Sequence, residues 1–347
     1  MGIRWRTLLL PHPDVMASIL LLSGADPKAP GRPHALDPLG RMCEAAASDR
    51  FGVHHVTDDP ETADVILFVE NCGTFEHFFR EVRQHPYYRA YRDKCFVHTR
   101  TDYPVPFLPG VYTSLRKRWY DPQRVRAGMY LVAFDHEFTQ YDDGRTPRKY
   151  LYSFIGKTNT HPVREQIMRL EHPDQFLFDT TPYWPYGELP DAKQQQLETQ
   201  YQRVSLQSKF ILCPRGYGTS SIRLFEALRM GRVPVILSDA WVPPVGPSWE
   251  AFSLRVAEAD TYKLPEILMA HEADAIAMGY RAREAWEHWF ARDAIFHRVV
   301  EWCLEINDAR NVGETLHRLS VLPQLADPRY LRLLVKTLVP RKLLQWR

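Results

Sequence analysis

Residues 209–239 read KFILCPRGYGTSSIRLFEALRMGRVPVILSD. Residues 209–213 are a short apolar run closed by Pro214, and residues 233–237 are a second one. Between them Ile222, Leu224, Phe225, Ala227, Leu228 and Met230 recur on one helical face. Gly231 is placed to end that helix, and Ser220 or Ser221 to cap its start. The unit is strand, loop, helix, strand, which predicts a parallel sheet covered by helices.

The same stretch carries a charge conflict. A helix start already holds partial positive charge, yet Arg223 falls in the first turn and Arg215 just before it. An anion resolves the conflict: Gly216 and Gly218 let backbone approach a ligand, and the guanidinium fork matches phosphate oxygens. Arg223 and Glu226, three apart, share a face expected to look onto solvent; read alone they are a surface pair worth roughly 0.2–0.5 kcal/mol. That reading leaves Arg215 and both glycines unexplained. Familiar phosphate motifs do not fit, since GYGTSS has Ser221 where a dinucleotide loop needs its third glycine, and Gly156-Lys157-Thr158 has Leu151 where a P-loop needs its first.

The run from Cys213 to Asp239, continued by Ala240, Trp241, Val242, Pro243 and Pro244, resembles the signature of the exostosin-like glycosyltransferases, family 47. The likeness is good over about residues 150–300 and weaker in the N-terminal half, where ADVILFVEN and CFVHTRTDYPVPFLPGVY carry it. The resemblance implies a GT-B fold, α/β with two Rossmann-like domains whose parallel sheets face across a cleft. It also implies inverting transfer of a sugar from a nucleotide-sugar, usually UDP-linked, to a glycan hydroxyl. Arg215 and Arg223 then meet the donor diphosphate and Glu226 the ribose hydroxyls, with Gly216, Tyr217, Gly218, Ser220 and Ser221 lining the loop. Tyr217, Asp239 and Trp241 border the sugar.

Upstream, KYLYSFIGKTNTHPVREQIMRL repeats the pattern: a strand ends at Gly156 and Pro162 opens a helix, so Arg164 sits at another positive helix start. Gly156, Lys157 and Arg164 are further donor candidates, Lys157 reading equally well as a solvated loop lysine. The N-terminal half alternates strands and helices, with strands expected at 15–23, 53–57, 64–70 and 94–99. Ligands bind beyond the carboxyl ends of such strands. Glu70, His98 and Asp102 are therefore candidates for the base that takes the acceptor proton. Asp102 reads also as a turn residue before Tyr103-Pro104, and Glu70 and His98 as partners of nearby backbone.

The chain has 347 residues, 44 basic and 42 acidic, for a net charge of +2, and no global field for nucleic acid. Three parts are expected: an acceptor-side domain over 1–145, a donor domain over 146–311, and a helical segment over 312–347 that packs back on the first domain. Five scattered cysteines argue against disulfides or zinc, and Cys213 reads as a small core residue. No cofactor and no metal is expected, because no paired-His or His-Glu spacing is found and acid pairs occur only as Asp58-Asp59 and Asp142-Asp143. Trp286, Trp289 and Phe290 read as core. The apolar residues of 3–23 are broken by Pro11, His12, Pro13 and Asp14, so no membrane span is expected. The expected setting is cytoplasmic, with synthesis of a bacterial-type surface polysaccharide or lipopolysaccharide. Residues 329–347, basic and leucine-rich, suit either contact with an anionic membrane bearing a lipid-linked saccharide acceptor or packing on the domain. A nucleotide-sugar-binding protein without activity, and a sugar phosphorylase or hydrolase, are the alternatives.

Overall fold

Val65, Leu67 and Val69 point to one side of a strand, and Ile66 and Phe68 to the other; all five are buried. Such a strand, apolar on both faces, belongs inside a parallel sheet. In the computed structural model it is β3 (Val65–Glu70), third in a six-stranded parallel sheet ordered β2-β1-β3-β4-β5-β6. The sheet's other strands are β1 (Ser18–Leu22), β2 (His55–Val56), β4 (Cys95–Thr99), β5 (Gly110–Tyr112) and β6 (Val125–Ala127). A second parallel sheet, ordered β11-β10-β9-β7-β8, holds β7 (Tyr150–Gly156), β8 (Gln175–Asp179), β9 (Ser208–Pro214), β10 (Val233–Leu237) and β11 (Leu254–Arg255). The structure describes residues 15–24, 38–70, 78–102, 104–134, 139–183 and 191–317, and single positions beyond. The two-sheet α/β fold expected of GT-B is the one observed.

Helices complete the layers: α1 (Pro38–Ala47), α2 (Arg80–Gln84) and α3 (Pro86–Ala90) around the first sheet, then α4 (Pro162–Ile167), α5 (Asp191–Leu206), α6 (Ile222–Arg229), α7 (Leu264–Ala270) and α8 (Ala275–Ala285). A π-helical turn over Trp286–Phe290 joins α8 to α9 (Arg292–Ala309), and α10 (Glu314–His317) follows. α6 ends as its sequence requires: Gly231 takes φ 63°, a left-handed conformation open to glycine at little cost.

One core joins the halves. Met129 and Val111 of the first half share a cluster with Phe225 and Leu228 of α6 and with Phe290, Phe296, Val299 and Trp302. Trp286 and Phe290 are core residues, as their sequence suggests, while Trp289 is only partly buried against them. The 310-helical turn Glu258–Lys263 leads directly into α7. The return to the first half also begins earlier than residue 312: α9 packs on α1, β3, β5 and β6. Buried Arg124 then meets Glu314 of α10 at 3.3 Å. The basic 329–347 segment lies almost wholly outside the described residues. Among the described residues no helix is long and apolar enough to cross a membrane.

Candidate active site

In the second sheet the chain runs from β7 out to β8, then returns to place β9 on the other side of β7. Loops leaving β7 and β9 therefore diverge and open a crevice at the carboxyl ends, where ligands of such sheets bind. Gly156 and Pro214 mark these two ends.

Arg223 reaches into the crevice from the first turn of α6. Its Nε donates to Ile155 O at 2.7 Å, and its guanidinium lies over Gly156 and the Phe154 ring. A Cβ at position 156 would stand 2.2 Å from Arg223 Nη2, so only glycine leaves the arginine its seat. Arg223 makes no salt bridge among the described residues. Arg164, buried on α4, donates to three carbonyls: Arg215 at 2.7 Å, Lys157 at 2.9 Å and Pro214 at 3.1 Å. It ties the two loops together. Burial, and then the nearby charge of Arg223, lowers its pKa to about 9.

Several polar groups converge there without partners. Arg215 Nε, Thr160 Oγ1 and Ser221 Oγ are buried and make no hydrogen bond. Ser220 Oγ lies beside the Tyr130 hydroxyl but without normal hydrogen-bond geometry. Ser221 does take the N-cap position of α6, yet its hydroxyl caps nothing, contrary to the capping expected from the sequence. Buried polar groups left unpaired cost about 1–3 kcal/mol each, which an anion in the crevice would relieve. The nearest acids are few: Glu258 Oε1 stands 3.7 Å from Arg215 Nη1, and the Asp102 charge acts on Arg164.

Glu226 corrects the expectation of a solvent-facing position. It is 5% exposed and accepts a hydrogen bond from Tyr201 OH at 2.6 Å, because α5 covers that face of α6. Lys157 is half-buried, and Tyr217 is 52% exposed at the rim. Asp239 is exposed, and its carboxylate accepts from Glu258 N (3.1 Å) while its own N–H donates to Glu258 (3.1 Å). With Ala240 it flanks Arg116, Lys117 and Arg118 in an open groove of about 420 Å³.

The first half closes over this loop. Thr219 Oγ1 donates to Leu115 O at 2.7 Å, and Gly218 fits under Asp102. A Cβ at Gly218 would lie 2.6 Å from Ser114 Oγ and 2.7 Å from Asp102 Oδ1. Gly218→Ala is therefore expected to push the halves apart and lower activity, at a stability cost of about 1–3 kcal/mol, readable by thermal melting beside a turnover assay. Asp102 is solvent-accessible but backed by protein. Desolvation raises its pKa, against the pull of Arg100 and Arg164.

The other two base candidates are placed differently. Glu70, buried at the end of β3, accepts from Gly24 N at 2.6 Å and Ser23 Oγ at 3.3 Å, tying the ends of β1 and β3. His98 is 1% exposed, its Nε2 unpartnered, and burial lowers its pKa to about 4. Because the folded value lies below the unfolded one of about 6.5, stability should fall as pH drops from about 6.5 to 4, by up to about 3 kcal/mol. Urea titrations of the wild type and His98→Gln should show that acid limb flattened in the variant. An unchanged limb would assign it to other groups.

Thr160, Tyr130, Ser114 and Glu258 were not legible as site residues. Tyr130, Ser114 and Glu258 lie far in sequence from the loop they serve, and Thr160, although within the loop after β7, carries no charge or spacing that marks it. Residues 122–271 match the Exostosin GT47 domain. The exostosin-1 homolog of Caenorhabditis elegans is 33% identical over 138 residues, 35% of this chain and 36% of that protein. The probable glucuronoxylan glucuronosyltransferase IRX7 of Arabidopsis thaliana is 42% identical over 77 residues, 22% of this chain and 17% of that protein. The matched stretches thus span about a third or less of these relatives. A glycosyltransferase structure from Rickettsia africae ESF-5 covers 84% of this chain and 99% of its own at 11% identity, with a TM-score of 0.39.

Proposed function

We propose, from the premise that this chain is exostosin-like over residues 122–271, that it transfers a sugar with inversion from a nucleotide-sugar, UDP-linked, to a glycan hydroxyl. The observation that carries the proposal is the crevice between β7 and β9, where Arg215, Arg223 and an uncapped helix start gather around buried polar groups that lack partners. This is what a diphosphate requires. As the bond from the anomeric carbon to the diphosphate oxygen breaks, negative charge grows on the leaving group, and donors already in place stabilise it most in the transition state. In this reading guanidinium groups supply the charge that a metal ion would otherwise bring.

Asp102 is the proposed base. It stands against Gly218 of the donor loop, faces solvent on one side, and carries a carboxylate whose raised pKa strengthens it as a proton acceptor. The acceptor oxygen bonds to the anomeric carbon, its proton passes to Asp102, and the nucleoside diphosphate departs. Arg164 positions both loops, and Glu226, held by Tyr201, accepts from the ribose.

The acceptor is proposed as a saccharide hydroxyl. The proposal stops at that class and names no particular polysaccharide. The glucuronosyltransferase in the plant relative's name supports including UDP-glucuronic acid among trial donors. The test incubates the full chain with UDP-linked glucuronic acid, galactose, N-acetylglucosamine and xylose against an oligosaccharide panel, following UDP release and product mass. Acceptor-dependent UDP release with a β-product from an α-donor supports the reading. Cleavage that needs inorganic phosphate, or none with any donor that binds, would replace it with a phosphorylase or an inactive binder.

A further inference from the structure

His297 and Glu301 stand four residues apart on α9, one turn along one helical face, and meet His54 from the loop before β2. One ligand-type atom from each lies within 4.8 Å of the others. His54 Nε2 and Glu301 Oε1 are 3.0 Å apart, and the two imidazole rings stack with centroids 4.8 Å apart. Both histidines are less than a tenth exposed. None of the three belongs to the elements that build the crevice.

We propose that His54, His297 and Glu301 bind a divalent transition-metal cation, zinc first among them, which fixes α9 to the edge of the first sheet. Two imidazoles and a carboxylate form a set suited to zinc, with a fourth position left to water. Around a tetrahedral zinc, with ligand bonds of about 2.0–2.1 Å, ligand atoms stand roughly 3.4 Å apart. His54 Nε2 and Glu301 Oε1 are already that close, and His297, with a ring nitrogen within 4.8 Å of both, completes the set once its ring turns out of the stack to aim its lone pair at the same point.

Aromatic and charged side chains line the set. Phe51 stacks on His297 at 4.3 Å, and Arg298 lies over Phe51 and Trp289 while reaching His288 Nε2 at 3.1 Å. Arg298 and Arg50 oppose a cation here, and Asp49 and Asp293 offset them. The expectation that no metal-type spacing exists passes over HRVVE, residues 297–301, where a histidine and a glutamate are one helical turn apart.

The test uses the full chain, stripped with EDTA and dialysed, then titrated with Co²⁺ and Zn²⁺. The proposal expects one equivalent of Co²⁺ to give visible ligand-field absorption, Zn²⁺ to displace it, and Zn²⁺ to raise the melting temperature. Glu301→Gln keeps the volume and the contact with His54 but should weaken Zn²⁺ binding by roughly tenfold or more, as should His54→Gln, while Arg223→Ala keeps wild-type affinity. Circular dichroism checks that each variant is folded. No saturable equivalent in the wild type, or equal affinity in both ligand variants, would overturn the site.

Discussion

Replacing Arg223 with alanine is expected to slow donor turnover by roughly 100- to 1,000-fold, the usual cost of removing one pre-placed group that stabilises charge in a transition state. The fold should survive. Arg223 is half-buried and gives one hydrogen bond to the fold, to Ile155 O, so the stability cost is about 1 kcal/mol. Arg223→Lys should recover little, because an ammonium cannot lie flat over Gly156 or offer a fork. Gly156→Ala provides an independent check: its methyl would occupy the place of Arg223 Nη2, so it should reproduce the alanine phenotype with the arginine still present. These variants are read by nucleoside diphosphate release together with thermal melting. Near-native turnover in Arg223→Ala would remove the arginine from the mechanism.

Asp102→Asn should have the second large effect, a fall in kcat of roughly 10²- to 10⁴-fold with little change in donor affinity. Its pH dependence is the sharper sign. A raised pKa means that the wild-type carboxyl stays protonated, and inactive as a base, to higher pH than an ordinary aspartate; the rate should climb as pH passes that value and then level off. The asparagine variant should lose this limb. Glu70→Gln and His98→Gln should keep it, since Glu70 is engaged by Gly24 and Ser23 and His98 is sealed from solvent. Persistence of the limb in Asp102→Asn would transfer the role to another group.

The sequence made the centre of the second sheet legible because β7, β9 and β10 are largely buried on both faces and their loops hold glycine beside arginine. β7, β9, α6 and β10 fall where their patterns place them, within a residue or two. β5 and β6, three residues each, and β8 carry too little periodicity to stand out. The fate of Glu226 was hidden for a different reason. Helical spacing gives the face a residue shares, but not what covers that face, and α5 with Tyr201 comes from outside the motif. Arg164 shows the same limit: its place at a helix start was readable, its three carbonyl partners on two other segments were not. The pairing of Gly156 with Arg223 joins residues 67 positions apart, and nothing in either local pattern connects them.

The most direct measurement is calorimetric titration of the wild type and Arg223→Ala with UDP, GDP, CDP and dTDP in EDTA. Saturable binding of one of them, UDP, that persists in EDTA and is lost or weakened by at least roughly tenfold in the variant, about 1.4 kcal/mol, is the predicted result. Binding that needs a divalent metal, that is unchanged in Arg223→Ala, or that is absent for all four would contradict an arginine-built diphosphate site between β7 and β9.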